Sequence, residues 1–200
     1  MSHRKLLALA LTLATIPAFA VVPGTPAPNF KGTDSNGAEH SLSQYRGKYV
    51  VLEWANKGCP YDQKHYLSGS MANLQKEWTG KGVIWLSVIS SAPGEQGYVT
   101  PAEENTYLKT MNAAPTAVLL DPTGVIGRLY SAKTTPHMFV IDPTGKLIYQ
   151  GAIDNKPTTE QADLKGAQNY LNDALNASMA GKPVAVESTR PYGCSVKYAH

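Results

Sequence analysis

Charge is scarce in this chain, and what there is nearly cancels: 16% of the 200 residues are charged, 18 Lys and Arg against 15 Asp and Glu. No basic block stands anywhere along it, so neither nucleic acid nor an anionic surface is an expected partner. Past the first twenty residues there is no long apolar run, which argues against stable membrane insertion. There is no Gly-rich phosphate loop and no Cys-x-x-Cys-His haem attachment, and neither a cofactor nor a metal is expected. Cysteine is reduced to two residues, Cys59 and Cys194. Two large domains are excluded by length, while 42% hydrophobic residues suffice for one packed core.

The chain opens MSHRKLLALALTLATIPAFA. His3, Arg4 and Lys5 form a basic start, Leu6 to Ile16 is apolar, and Ala18-Phe19-Ala20 offers small residues at the positions a signal peptidase reads. Residues 1–20 are therefore expected to be a signal peptide cleaved after Ala20, leaving 16 cations against 15 anions. An uncleaved anchor is the weaker alternative, because the apolar run is too short to span a bilayer. Export to a bacterial periplasm, or secretion, is the expectation. In an oxidising compartment the two cysteines are open to three readings: a structural staple, a redox pair or two inert thiols. A permanent Cys59–Cys194 bridge would stabilise by about 4–5 kcal/mol on the chain-entropy model.

VVPGTPAPNF reads as an extended arm. A hairpin follows, Asn29 to Thr33 and Ala38 to Ser41 about a Ser35-Asn36-Gly37 turn, then a helical turn within Leu42 to Gly47. Tyr49 to Ala55 reads as a strand buried on both faces. From Pro60 to Trp78 the apolar spacing predicts one helix, and Val83 to Ser90 a second strand. Further helices are predicted from Pro101 and over Val125 to Tyr130, with a strand at Ala117 to Leu120. Met138 to Asp142 and Lys146 to Gln150 form an antiparallel pair, and Gln161 to Met179 a long last helix. The two DPTG tetrapeptides, at Asp121 and Asp142, are turn chemistry and not a repeat. Strands separated by helices, then a hairpin and a helix, imply an α/β fold with a central mixed sheet flanked by helices. The domain is expected over 21–181. Residues 182–200 read as an exposed, flexible tail with no core role, and it carries Cys194.

Trp54-Ala55-Asn56-Lys57-Gly58-Cys59-Pro60-Tyr61 sets a thiol between a buried strand and a helix. A helix start offers unpaired N–H groups and partial positive charge, both of which lower a thiol's pKa. Lys57 would add to this and Asp62 oppose it.

At these residues the chain resembles the thioredoxin-like superfamily, and within it the redoxin branch of alkyl hydroperoxide reductase and thiol-specific antioxidant domains. The resemblance runs from about Gly24 to Gly151. It rests on GTPAPNF, on LSQYRGKYVVLEWA, on Cys59 at its strand-to-helix junction, and on Thr134-Thr135-Pro136 leading into HMFVIDPTGKLIYQG. It implies a three-layer fold with an N-terminal hairpin. It also implies that Pro136 is a cis-proline facing Cys59, with Thr135 and Pro60 at the substrate face. Three departures qualify it. The fourth residue of Cys59-Pro60-Tyr61-Asp62 is not cysteine, so the loop alone cannot run a two-cysteine exchange. Leu52 and Asn56 stand where peroxiredoxins place Pro and Thr. Gln63 stands where copper-delivering relatives place a second cysteine, and His137 reads as a structural histidine.

The tail supplies a second thiol in Arg190-Pro191-Tyr192-Gly193-Cys194. Three functional readings result. In the first, a thiol peroxidase reduces hydroperoxides through Cys59, and Cys194 resolves the sulfenic acid. In the second, the same pair exchanges disulfides with exported proteins. In the third, a non-enzymatic thioredoxin-fold protein is held by a structural Cys59–Cys194 disulfide. The first two readings need an outside thiol reductant, and they leave open whether Cys194 acts within its own chain or across a homodimer.

Overall fold

A computed structural model describes residues 21–199 of the chain. The expected signal peptide, residues 1–20, lies outside the described residues. Among the described residues no helix is long and apolar enough to cross a membrane.

After the extended arm come β1 (Lys31–Thr33) and β2 (Glu39–Ser41), an antiparallel hairpin. Gly37 takes a positive φ in its turn. A short 3-10 turn at Leu42–Tyr45 leads to β3 (Val50–Trp54). Next are α1 (Pro60–Leu67), α2 (Ser70–Gly80), β4 (Ile84–Ile89) and α3 (Pro101–Thr110). The chain continues through β5 (Ala117–Leu120), α4 (Val125–Leu129), β6 (Thr134–Thr135), β7 (His137–Ile141) and β8 (Leu147–Gly151). It ends with α5 (Tyr170–Met179) and β9 (Cys194–Ser195).

The central sheet has the order β5-β4-β3-β7-β8. β3 runs parallel to β4 and antiparallel to β7, so the sheet is mixed, as expected. Alternation along β3 divides the core. Val50, Leu52 and Trp54 face a layer holding Phe30, Leu42, Ile126 and Tyr130. Val51 faces the opposite layer, where α1, α2 and α5 contribute Tyr66, Met71, Leu74, Trp78, Leu171 and Leu175. All five residues of β3, Glu53 included, are buried, which accounts for its largely apolar reading.

Three local expectations are corrected. The single helix over Pro60 to Trp78 is two, because Gly69 adopts a left-handed φ of 75° that ends α1 and caps α2. The break re-aims the faces: Leu67 is 57% exposed while His65 is buried. The long last helix is a 3-10 turn at Gln161–Leu164 followed by α5, which begins only where the Asn169 side chain accepts from the Asn172 N–H at 2.9 Å.

The tail differs most. It is neither loose nor free of the core. Glu187 and Thr189 bond the backbone of Gln150, Tyr192 packs on one core layer and Val196 on the other, and Lys197 accepts from Ala92 N–H. Low apolar content hid this, because the tail is held mainly through its backbone groups.

Candidate active site

The β3–β7 register sets Trp54 opposite His137. The loop leaving β3 and the loop entering β7 therefore emerge at the same end of the sheet. This brings Cys59 to the Thr135–Pro136 peptide, which is cis.

The Cys59 loop is built around Asn56. Its carbonyl accepts from Cys59 N–H at 2.9 Å and its side-chain oxygen from Gly58 N–H at 2.8 Å. Its amide donates to the Gln96 carbonyl at 3.2 Å, and its own N–H donates to Asp62 Oδ2 at 2.5 Å. The residue standing in place of a peroxiredoxin threonine thus braces the loop. Cys59 is the N-cap of α1, with Pro60 at the first helical position, where a missing N–H costs nothing. Pro60 is exposed, whereas the Cys59 side chain is wholly buried.

The tail is what covers it. β9 pairs antiparallel with β6, with Cys194 opposite Thr135 and Ser195 opposite Thr134. A short edge strand offers unpaired backbone groups that an extended segment satisfies, and here the chain's own tail does so. Cys59 Sγ–H donates to the Thr135 carbonyl at 3.1 Å. Cys59, Cys194, Thr135, Pro136 and Pro60 are therefore gathered at one place, with both cysteines from the same chain and both free thiols. His137 lies in β7 with its Nδ1 accepting from Lys133 N–H at 3.3 Å. Burial, aided by Lys133, pushes its pKa down to about 3. Among the described residues no group of three or more His, Cys, Asp or Glu is placed to hold a metal ion.

The two thiols are electrostatically unequal. Burial opposes ionisation of Cys59, yet hydrogen bonds to its thiolate prevail and hold its pKa below the usual thiol value. The donors are the Cys194 thiol, the Thr135 hydroxyl, and the backbone N–H groups of Asp62 and Cys194. The Thr135 hydroxyl is buried without a partner while Cys59 is a thiol, so ionisation supplies the acceptor it lacks. Burial, then the hydrogen bond and negative charge of Cys59, push Cys194 up to about 12. Asp62 is fully buried. Desolvation, with the charges of Cys59 and Glu53, holds its carboxyl well above the usual range. The cluster thus resists a second negative charge beside a Cys59 thiolate.

Several residues here escaped the sequence reading. Glu53, in the middle of β3, accepts from Trp85 Nε1 at 2.7 Å, Tyr66 Oη and Ser87 Oγ at 2.8 Å and Gln75 Nε2 at 3.1 Å. Its one visible signal is a carboxylate in an apolar strand. Lys64, Asp154 and Tyr192 carried no signal at all, since α1, the loop after β8 and the tail meet only in three dimensions.

Residues 23–150 match the model of the AhpC/TSA family, and the chain belongs to that family. It thus falls in the redoxin branch of the thioredoxin-like superfamily. Among curated proteins it is 27% identical over 129 residues to the thiol-disulfide oxidoreductase ResA of Bacillus subtilis. That match spans 64% of this chain and 66% of ResA, slightly under two thirds of the relative's length. Among solved structures, an uncharacterized conserved protein from Geobacillus kaustophilus superposes with a TM-score of 0.74 at 22% identity, covering 90% of this chain and 93% of that one. An exposed lipoprotein thioredoxin from Streptococcus pneumoniae superposes with a TM-score of 0.50 at 24% identity, covering 70% of this chain and 96% of that one. At such identities the likeness speaks for the fold.

Proposed function

We propose that this protein is an exported thiol–disulfide oxidoreductase in which Cys59 attacks and Cys194 resolves. The observation that carries the reading is the β6–β9 register, which seats a cysteine on an extended strand against Thr135, facing Cys59. The export element rests on the leader-like residues 1–20.

The reaction proceeds in two displacements. The Cys59 thiolate attacks a substrate disulfide, forming a mixed disulfide and expelling the first substrate thiolate, which takes a proton from water. Cys59 is then neutral, and its charge no longer raises Cys194 or Asp62. Asp62, relieved of that charge, yields its proton to water, and the carboxylate so formed, whose Oδ1 is buried without a partner, takes the Cys194 proton. The Cys194 thiolate attacks Cys59 Sγ, closing the Cys59–Cys194 disulfide and releasing the second substrate thiolate. The substrate gains two electrons, and an outside dithiol returns them to the protein.

Hydroperoxide reduction is the second reading, and the complete burial of Cys59 favours it, since a small peroxide reaches a covered sulfur more easily than a protein does. There Cys59 would become a sulfenic acid with release of an alcohol or water, and Cys194 would condense with it, releasing water. Against it, Asn56 is committed to the loop and presents no hydroxyl to a peroxide.

Stopped-flow mixing of the reduced protein with a disulfide-bonded peptide, and separately with hydrogen peroxide, tests both. Exchange predicts a trapped Cys59–peptide mixed disulfide in Cys194→Ser and a peroxide rate no faster than that of a free thiol. Rapid peroxide consumption with a trappable sulfenic acid would overturn exchange in favour of the second reading. A Cys59–Cys194 bridge inert to both thiols and disulfides would leave the structural staple.

A further inference from the structure

Behind the two cysteines lies a buried polar cluster that the exchange steps do not use. Lys64 is 1% exposed and Asp154 2% exposed, uncommon burial for charged side chains. Lys64 Nζ donates to the Lys156 carbonyl at 2.7 Å and to Tyr192 Oη at 3.3 Å, and stands 3.9 Å from Asp154 Oδ1. Tyr192 Oη donates to Asp154 Oδ1 at 2.6 Å. The Tyr192 ring lies under Lys64 Nζ, 5.1 Å from the ring centre, and against Tyr61 with centroids 5.9 Å apart. His65 Nε2 sits 3.7 Å from Asp154 Oδ2.

The position of this cluster in the chain is informative. Tyr61 and Lys64 lie on α1, the helix that Cys59 caps, and Tyr192 precedes Cys194 by two residues. The helix that presents one thiol therefore grips the residue beside the other. A buried ion pair is weak as a source of stability, because desolvation cancels most of its attraction. As a geometric fixture it is strong, since only one placement of the Tyr192 hydroxyl satisfies Asp154 and Lys64 together. Residues 191–195 otherwise have a two-residue strand to hold them.

We propose that Tyr192, seated on the buried Lys64–Asp154 pair, is the positioning residue that presents Cys194 to Cys59. This rests on the reading of Cys194 as the resolving thiol. Its action is to raise the effective concentration of one sulfur at the other, which sets both the rate of resolution and the equilibrium of the disulfide.

The test is the equilibrium of the full mature chain with glutathione. Two glutathione thiols reduce the Cys59–Cys194 disulfide to the dithiol and become one glutathione disulfide, so the ratio of species gives the effective concentration directly. Tyr192→Phe keeps the ring on Tyr61 and loses the bond to Asp154; it is expected to lower that concentration roughly tenfold, the scale of a hydrogen bond to a charged group. Tyr192→Ala, lacking ring and hydroxyl, is expected to lower it further, with intact thermal melting of the reduced variants showing that the domain folds. Should Tyr192→Ala unfold, Tyr192→Phe and Lys64→Met carry the test. Unchanged effective concentrations in these variants would overturn the inference while leaving exchange standing. A wild-type protein that forms no Cys59–Cys194 disulfide would overturn both.

Discussion

Gly193 lies directly against the carbonyl of Thr135: a Cβ at position 193 would stand 2.0 Å from that oxygen, and the glycine has a φ of 134°. No other residue permits this approach. The register that puts Cys194 opposite Thr135 therefore depends on the absence of a side chain one residue earlier.

Gly193→Ala should unseat β9 while sparing the central sheet. Its far-ultraviolet circular dichroism is expected to match the wild type. Limited proteolysis should cut between residues 186 and 199, and the Cys59–Cys194 disulfide should form at least about tenfold more slowly, given strain of roughly 1–3 kcal/mol at such a site. Wild-type resistance to protease in this variant would count against the docked tail.

Asp62→Asn keeps the size of the side chain and removes the proton acceptor. The first attack by Cys59 should be little changed, because burial and the Cys59 charge already hold the Asp62 carboxyl well above the usual range. Resolution should slow by about a hundredfold, a typical loss for a general base, so that the mixed disulfide accumulates. Mass spectrometry of acid-quenched reactions reads this, and equal lifetimes of the intermediate in both proteins would exclude the role.

Glu53→Leu strips the acceptor from four buried donors, Trp85, Tyr66, Ser87 and Gln75. A loss of about 3–5 kcal/mol is expected in urea unfolding, since orphaned buried donors forfeit their full hydration. Glu53→Gln, which retains one acceptor oxygen, should lose clearly less. Equal losses would mean that packing and not hydrogen bonding governs the site.

Acid should destabilise the fold through two buried histidines. Burial lowers His137 from 6.5 to about 3 and His65 from 6.5 to about 4. A histidine with a depressed folded pKa binds its proton more readily when unfolded. Its contribution is complete above pH 6.5 and is lost as the pH falls towards the folded value. Each should take away about 2 kcal/mol between pH 6.5 and about pH 5. His137→Gln should flatten that slope in denaturant titrations; an unaltered slope would refute the assignment.

Much of this molecule was legible in one dimension. Val50, Val51 and Leu52 declared a strand covered on both faces, Asn36-Gly37 its hairpin turn, and Thr135-Pro136 before an apolar run the loop entering β7. Cys59 before Pro60 announced a thiol at a helix start. Such features are local: a few consecutive residues settle the backbone they occupy, and their order along the chain settles the topology. The helix boundaries at Gly69 and Asn169 were missed because apolar spacing continued through them while the backbone did not.

The chain by itself determined two cysteines, one at a helix start and one in a polar tail, and the layered fold between them. Only the tertiary structure shows the tail docked with Cys194 opposite Thr135, and the Asp62 carboxyl buried and held well above the usual range. The reason is physical. Docking relies on backbone hydrogen bonds and on a glycine, which leave no hydrophobic pattern to read, and a carboxyl's charge depends on its burial, which the sequence around Asp62 does not record.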